Sequence, residues 1–395
     1  MATLIVTATT NFGPVDFFPN TALQDVDEIV FDSTQAGFVI ASFDASLFDD
    51  VRISQTVQII PDPDFGVTFS EIHVTNINGT FSASGWTFPV TPVNIFLFGS
   101  EGDDTITGNS LTMNAFLGGK GADTLIGGDT FRNSFVYGDP LDLAAGETVT
   151  GGAGLDVLEV AGMGGNFNFS VATLTDIDRI TFIPGLDPTR TTVTVTGAQI
   201  AAGIESIRND SGGPVTLNVI GSAVDLSALA FISWDASSDR VTINGTGGVD
   251  TLIGSKQRDI IKGNGGNDTL RGGVGDDTLI GGKGRDIMFG DGGEDIFDFN
   301  AIAESKTGAQ RDKINHFQRG KDHIDLKGID AKTGIPGNQK FTWIGKKDFS
   351  DTKGELRYKD LGSKVIVQGD VNGDGKADFE IFVKAGSLSK GDFFL

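Results

Sequence analysis

From Gly245 to Asp298 the chain repeats itself every nine residues, six times in succession and without a gap: GTGGVDTLI, GSKQRDIIK, GNGGNDTLR, GGVGDDTLI, GGKGRDIMF and GDGGEDIFD. The sixth place is always Asp (Asp250, Asp259, Asp268, Asp277, Asp286, Asp295), and the eighth is always large and apolar (Leu252, Ile261, Leu270, Leu279, Met288, Phe297). Self-similarity at a short fixed period marks a stacked, solenoidal architecture, in which each unit buries its apolar residue only against its neighbours.

The spacing has a direct physical reading. Six residues rich in Gly and Asp form a turn whose glycines permit positive φ and expose carbonyl oxygens. The next three form a short strand with its apolar residue pointing inward. Two units close one coil, so turns recur on the same side about every 18 residues. That stacking predicts the pairs Asp250 with Asp268, Asp259 with Asp277, Asp268 with Asp286, and Asp277 with Asp295. An all-oxygen cage of carboxylates and carbonyls suits a hard cation such as Ca²⁺. Without a cation the stacked carboxylates repel.

A degenerate block lies upstream. GSEGDDTIT, GGKGADTLI and GGAGLDVLE place Asp104, Asp123 and Asp156 at the sixth position. Asn133 is a candidate weak ligand, and Asp176 a candidate partner for Asp156. Between the blocks, Ile180-Thr-Phe-Ile, Thr192-Val-Thr-Val-Thr, Val215-Thr-Leu-Asn-Val-Ile and Val241-Thr-Ile-Asn read as strands of a solenoid that continues without metal. Residues 1–95 are also strand-like, with Phe17-Phe18, Glu28-Ile-Val-Phe and Val57-Gln-Ile-Ile.

The nonapeptide pattern G-G-x-G-x-D-x-U-x resembles the calcium-binding repeat of the RTX (repeats-in-toxin) proteins. Asp312-Lys-Ile-Asn-His-Phe, Gly320-Lys-Asp-His-Ile-Asp-Leu and Gly369-Asp-Val-Asn-Gly-Asp-Gly-Lys-Ala-Asp-Phe-Glu-Ile resemble the C-terminal domain of serralysin-type proteins exported by type I systems. The ending Asp392-Phe393-Phe394-Leu395 resembles the uncleaved type I export signal. The resemblance implies export through the type I machinery and folding on calcium outside the cell.

Within the C-terminal stretch, Asp370, Asn372, Asp374 and Asp378 are spaced like the start of an EF-hand loop. The twelfth position is Ile381, however, and the flanks read as strands. A calcium loop and a metal-free hairpin turn both fit.

Composition narrows the partners. Thirty Lys and Arg against 53 Asp and Glu give a net charge of -23, which argues against nucleic acid and anionic membrane surfaces. There is no Cys, so stapling falls to metal or repetition. The opening Met-Ala-Thr-Leu-Ile-Val-Thr lacks the basic and apolar regions of a Sec signal, and no apolar run reaches the roughly 18 residues of a transmembrane span.

Catalytic signatures are sparse. The three histidines, His73, His316 and His323, stand outside any His-Glu-x-x-His helix. Asn209-Asp-Ser211-Gly-Gly-Pro214 approaches a serine-protease nucleophile motif but reads more simply as a turn. The Gly-x-Ser-x-Gly elbow and the Asp-Pro-His-Glu run of alginate epimerases are absent, and Asp49 with Asp50 reads as a solvated turn.

The expectation is therefore an all-β protein: a parallel β-roll or β-solenoid with calcium-binding nonapeptide turns, plus a β-rich N-terminal region. The expected division is 1–95 β-rich region, 96–160 degenerate repeats, 161–244 metal-free solenoid, 245–298 roll and 299–395 secretion domain. The expected role is a secreted, non-enzymatic surface or matrix component (S-layer, adhesin or biofilm scaffold), self-assembling or bound to cell-surface polysaccharide. The alternative is an epimerase- or lyase-like enzyme acting on polysaccharide, with its site in residues 1–244.

Overall fold

The computed structural model describes residues 71–87, 93–161, 164–185 and 189–395, and of residues 1–70 only the backbone of the strands. Phe17, Phe18, Asp49 and Asp50 lie outside the described residues. The chain divides into two compact units, residues 1–192, 202–214 and 230–234 in one and residues 193–201, 215–229 and 235–395 in the other. Both are built almost wholly from parallel strands. Among the described residues the one α-helix is Gly197–Ala201, and no helix is long and apolar enough to cross a membrane.

In the first unit, parallel strands from Val15–Asp16 to Ala230–Ile232 stack into one ten-stranded sheet, and five from Thr80–Ser82 to Thr173–Thr175 form a second. The chain alternates between the two sheets, coil after coil. The inward residue of each strand meets its counterpart in the next: Val74, Leu97, Phe116, Phe135, Leu158, Ile180 and Ile207 pair in register, and all are fully buried. Phe116 and Phe135 stack with ring centroids 4.8 Å apart. Identical steps with a period of two across each strand leave the intervening residues outside. Strands Ala2–Ala8, Val26–Ser33 and Ile53–Pro61 form a parallel three-stranded sheet.

The second unit holds the nonapeptides. Their strands alternate between two sheets, so that Ile243, Ile261, Leu279, Phe297, Ile324 and Phe393 line one wall. Leu252, Leu270, Met288, Ile314 and Val383 line the other. The eighth-position apolar residue of every repeat is fully buried. This is the parallel β-roll that the repeat dictates. Among the described residues, strand pairing turns antiparallel at Phe379–Val383, Val365–Asp370 and Glu355–Asp360. The last strand, Phe393–Phe394, pairs with His323–Asp325, and Phe394 stacks on His323 at 4.3 Å.

Some expected boundaries do not follow the pairing. The divisions at 95/96 and 160/161 fall inside strands Val93–Gly99 and Asp156–Ala161. Strands Asp312–Asn315 and His323–Asp325, beyond 298, add rungs to the sheets of the roll. Glycine content changes at those points, whereas the ladder of backbone hydrogen bonds does not.

The wall of the roll gives a packing prediction. Leu279→Ala opens a void between Ile261 and Phe297 that a rigid stack cannot close, and should cost about 2–5 kcal/mol. Thr278→Ala, on the outward side of the same strand, should stay within about 0.5 kcal/mol. Denaturant unfolding at saturating calcium, followed by circular dichroism, measures both.

Candidate calcium sites in the turn ladder

Each sixth-position Asp sits at the end of a turn and at the start of a strand, which aims its carboxylate along the stack. The backbone N–H of one Asp donates to Oδ1 of the Asp one coil on: Asp250 to Asp268 at 2.9 Å, Asp259 to Asp277 at 2.9 Å, Asp268 to Asp286 at 2.8 Å and Asp277 to Asp295 at 3.1 Å. All four expected pairs are thus brought together, each 18 residues apart in sequence.

The ladder runs further than the repeat shows. Asp286 N–H donates to Asp312 Oδ1 at 2.7 Å, and Asp295 N–H to Asp322 Oδ1 at 3.2 Å. These two aspartates lack the position-one glycine of the nonapeptide, having Thr307 and Phe317 in its place, although Gly308 (φ 74°) and Gly320 (φ 77°) bend the chain before them. Their only sequence signal is the Asp-x-apolar tail of Asp312-Lys-Ile314 and Asp322-His-Ile324.

The first unit carries a looser version. Asp104 N–H donates to Asp123 Oδ1 at 2.9 Å, and Asp123 N–H to Glu147 Oε2 at 3.1 Å. On the other side, Asn133 N–H donates to Asp156 Oδ1 at 3.1 Å, and Asp156 N–H to Asp178 Oδ2 at 2.7 Å. The partner of Asp156 is therefore Asp178 rather than Asp176, whose backbone instead takes a left-handed bend (φ 53°). Asn133 occupies a rung of its own: its amide donates to Asp156 Oδ1 at 2.7 Å and its Oδ1 accepts from Asn114 at 2.8 Å. Glu147 accepts from the buried Tyr137 hydroxyl at 2.8 Å. Coil lengths of 22 to 24 residues conceal Glu147 and Asp178 from a search at period nine.

The second carboxylate oxygen identifies the chemistry. Oδ2 of Asp123, Asp156, Asp268, Asp277, Asp286, Asp295 and Asp312 is buried and meets no hydrogen-bond donor. Burying an unpaired charge is costly, and native structures rarely leave such atoms unsatisfied. Carbonyl oxygens crowd the same space. A Cβ added at Gly263 would stand 2.4 Å from Asp268 Oδ2 and 2.5 Å from the Gly281 carbonyl oxygen, and one at Gly272 would stand 2.3 Å from Asp277 Oδ2 and 2.7 Å from that of Gly290. Paired carboxylates and carbonyls, with no nitrogen or sulfur donor, form the set that a hard divalent cation takes.

The glycines serve two ends. In the turns before Asp123, Asp268, Asp277, Asp286 and Asp295, positions two and four adopt positive φ, as at Gly282 (88°) and Gly284 (146°), with Asn264 and Asp291 tolerating the same bend at position two. Position one has ordinary φ. It is glycine because a Cβ would press on the carboxylate, at 2.5 Å from Asp286 Oδ2 for Gly281 and 2.2 Å from Asp295 Oδ2 for Gly290.

Burial also drives the protonation of the ladder. It pushes Asp268 and Asp295 up to about 6, Asp286 to about 7, and Asp277 and Asp312 to about 8, with repulsion from neighbouring carboxylates adding to it. Asp123 rises to about 6 and Glu147 to about 7 for the same reason. Asp156 and Asp322 are raised as well.

The Asp370 loop is built differently. It joins the antiparallel strands Val365–Asp370 and Phe379–Val383 as a hairpin. Asp370 accepts from the Gly373 and Gly375 N–H groups at 2.6 and 2.9 Å. Asp378 accepts from the Val371 N–H and the Asn372 amide at 2.8 and 2.7 Å. Asp374 accepts from the Lys376 N–H, and Asn372 Oδ1 from the Asp374 N–H. Those carboxylates are engaged within the loop. Ser211 is likewise held in its turn, donating to Asn209 Oδ1 at 2.7 Å and accepting from the Gly213 N–H.

Fold and ladder together define a repeat-built, calcium-binding β-roll protein. Residues 220–395 match the family model for the peptidase M10 serralysin C-terminal region, and residues 96–110 and 114–130 match that for the RTX calcium-binding nonapeptide repeat. The chain thus carries stretches that match RTX-type repeats and a serralysin-type C-terminal region, a combination that indicates a secreted protein. Among solved structures, it is similar to the AlgE6R3 and AlgE6R2 subunits of the Azotobacter vinelandii mannuronan C5-epimerase, each at 24% identity. These matches cover 38% and 41% of this chain and 80% and 95% of theirs, with TM-scores of 0.28 and 0.31. No curated protein matches the chain.

A pH dependence follows. Carboxyls raised in the fold favour it while protonated, so their contribution is complete below the unfolded value near 4 and is lost as pH rises through 6 to 8. In EGTA the roll should hold more β-structure at pH 5 than at pH 8.5, and apparent calcium affinity should rise over that interval. Circular dichroism and calcium titration across the range check both.

Proposed function

We propose that this chain is an exported protein whose roll orders on calcium outside the cell, and that it serves there as a non-enzymatic surface or matrix component. The observation that carries this reading is the file of buried, donor-less Oδ2 atoms between successive rungs. Asp268, Asp277, Asp286 and Asp295, with the turn carbonyls beside them, are the groups that would hold the ions. Bound calcium supplies the positive charge that these buried carboxylates need at neutral pH.

The chain's own residues do the rest. The N–H of each Asp fixes the next carboxylate, the position-one glycine leaves it room, and the apolar wall zips the coils together. Ordering the turns and binding the ion are then one equilibrium, so ligand binding appears as folding stability. At low calcium and neutral pH the same carboxylates oppose the stack, which leaves the roll unfolded and suited to passage through an exporter. The C-terminal residues Asp392 to Leu395 are the segment proposed to be read by a type I machinery. The acidic surface and repeat-built walls support a scaffold role, such as an S-layer, adhesin or biofilm component.

Circular dichroism of the full chain in EGTA and in millimolar calcium at pH 7.5 tests the folding step. A large gain of β-signal on adding calcium is expected, and superimposable spectra would refute the proposal. Electron microscopy with and without calcium checks assembly. Turnover of alginate, pectin or casein by the folded chain would instead move it to the enzyme class.

A further inference from the structure

Three of the sixth-position aspartates differ from the others in a consistent way. Asp104, Asp250 and Asp259 have Ser100, Thr246 and Ser255 at position two of their turns, where the remaining turns carry Gly, Asn or Asp. The same small network recurs in each. The Ser100 N–H and hydroxyl donate to Asp104 Oδ2 at 2.7 and 3.0 Å. The Thr246 N–H donates to Asp250 Oδ2 at 2.6 Å, and its hydroxyl to Oδ1 at 2.8 Å. The Ser255 N–H donates to Asp259 Oδ2 at 2.6 Å, and its hydroxyl lies 3.0 Å from Oδ1.

In all three turns the hydroxyl oxygen also accepts the N–H of position four, from Gly102 at 3.2 Å, Gly248 at 3.1 Å and Gln257 at 3.0 Å. None of these turns uses positive φ at position two or four, although Gly102 and Gly248 would permit it. Both oxygens of each carboxylate are thereby engaged: Oδ1 of Asp104 takes the Gly79 N–H at 2.5 Å. Their Oδ2 atoms are absent from the donor-less set, which holds Asp123, Asp156, Asp268, Asp277, Asp286, Asp295 and Asp312.

We propose that in these three turns a side-chain hydroxyl and its own N–H take the place of calcium, so that Asp104, Asp250 and Asp259 are not calcium ligands. Carboxylate ligation is then confined to the turns whose second position lacks a hydroxyl and to Asp312, which extends it beyond the nonapeptides. The rule is legible in sequence: Gly-[Ser/Thr]-x-x-x-Asp marks a dry turn and Gly-[Gly/Asn/Asp]-x-Gly-x-Asp a metal turn. A buried carboxylate needs donors or a cation, and a turn that supplies the donors from its second residue has no remaining lone pair aimed between the rungs. The roll would thus begin with two rungs, Gly245–Ile253 and Gly254–Lys262, that stack without calcium at their own carboxylates.

This inference rests on the calcium reading of the roll and is tested by counting ions. Bound calcium is measured per full-length chain, by equilibrium dialysis at saturating calcium, for the parent and for D250N, D259N, D277N and D286N. The first two variants should hold as many ions as the parent, and the last two should each lose at least one. Loss of an ion by D259N equal to that in D277N would overturn the proposal. A parent that holds no ions would overturn the calcium reading as well, a result distinct from loss in all four variants. S255A is the second probe. It should lower the calcium-saturated melting temperature by a few degrees without releasing an ion. Release of an ion, or an unchanged melting temperature, counts against the hydroxyl's role.

Discussion

The structure turns on one interaction, the hydrogen bond from the backbone N–H of each turn aspartate to the carboxylate of the next coil. In the roll it repeats at 2.8 to 3.1 Å over four successive pairs, and it fixes three things together. It sets the register of the coils, it draws carboxylates out of water, and it leaves one oxygen of each facing its neighbours' carbonyls. A purely apolar solenoid has the first property alone. Here the same bond that aligns the stack creates the need for positive charge, which is the ground for the proposal that stability and cation share one equilibrium.

That need is not uniform along the chain. Asn133 meets it with an amide, Ser100, Thr246 and Ser255 with hydroxyls, and Glu147 in part with the Tyr137 phenol. The glycine-rich turns meet it with nothing of their own. A single geometric frame therefore accepts three kinds of partner for its buried carboxylates, and the choice is made at one or two side chains per turn.

Much of this was legible in the sequence. The period of nine with apolar residues at position eight fixes which side chains face inward, because a roll of this kind has no other way to bury them. The pairing of Asp250 with Asp268 and its successors followed from the same arithmetic. Less accessible were features that lack a fixed period. Asp312, Asp322 and Asp178 join the ladder across connections of irregular length, 26, 27 and 22 residues, which no repeat search registers. The role of the position-one glycine is also hidden from the sequence, since glycine content suggests backbone freedom whereas the structure shows a steric demand 2.2 to 2.5 Å from an aspartate oxygen. Nor did the sequence alone separate Asp370, whose loop supplies its own donors, from the aspartates of the roll.

The alternation of strands between two walls has a consequence for how such a chain can change length. One nonapeptide supplies a strand to one sheet and the next supplies the other, as the pairings of Ile261 with Leu279 and Leu270 with Met288 show. Deleting or duplicating a single nonapeptide would send every later strand to the opposite wall and set turn aspartates against the wrong neighbours. Insertions and deletions that preserve the molecule must therefore come in whole coils, two repeats at a time.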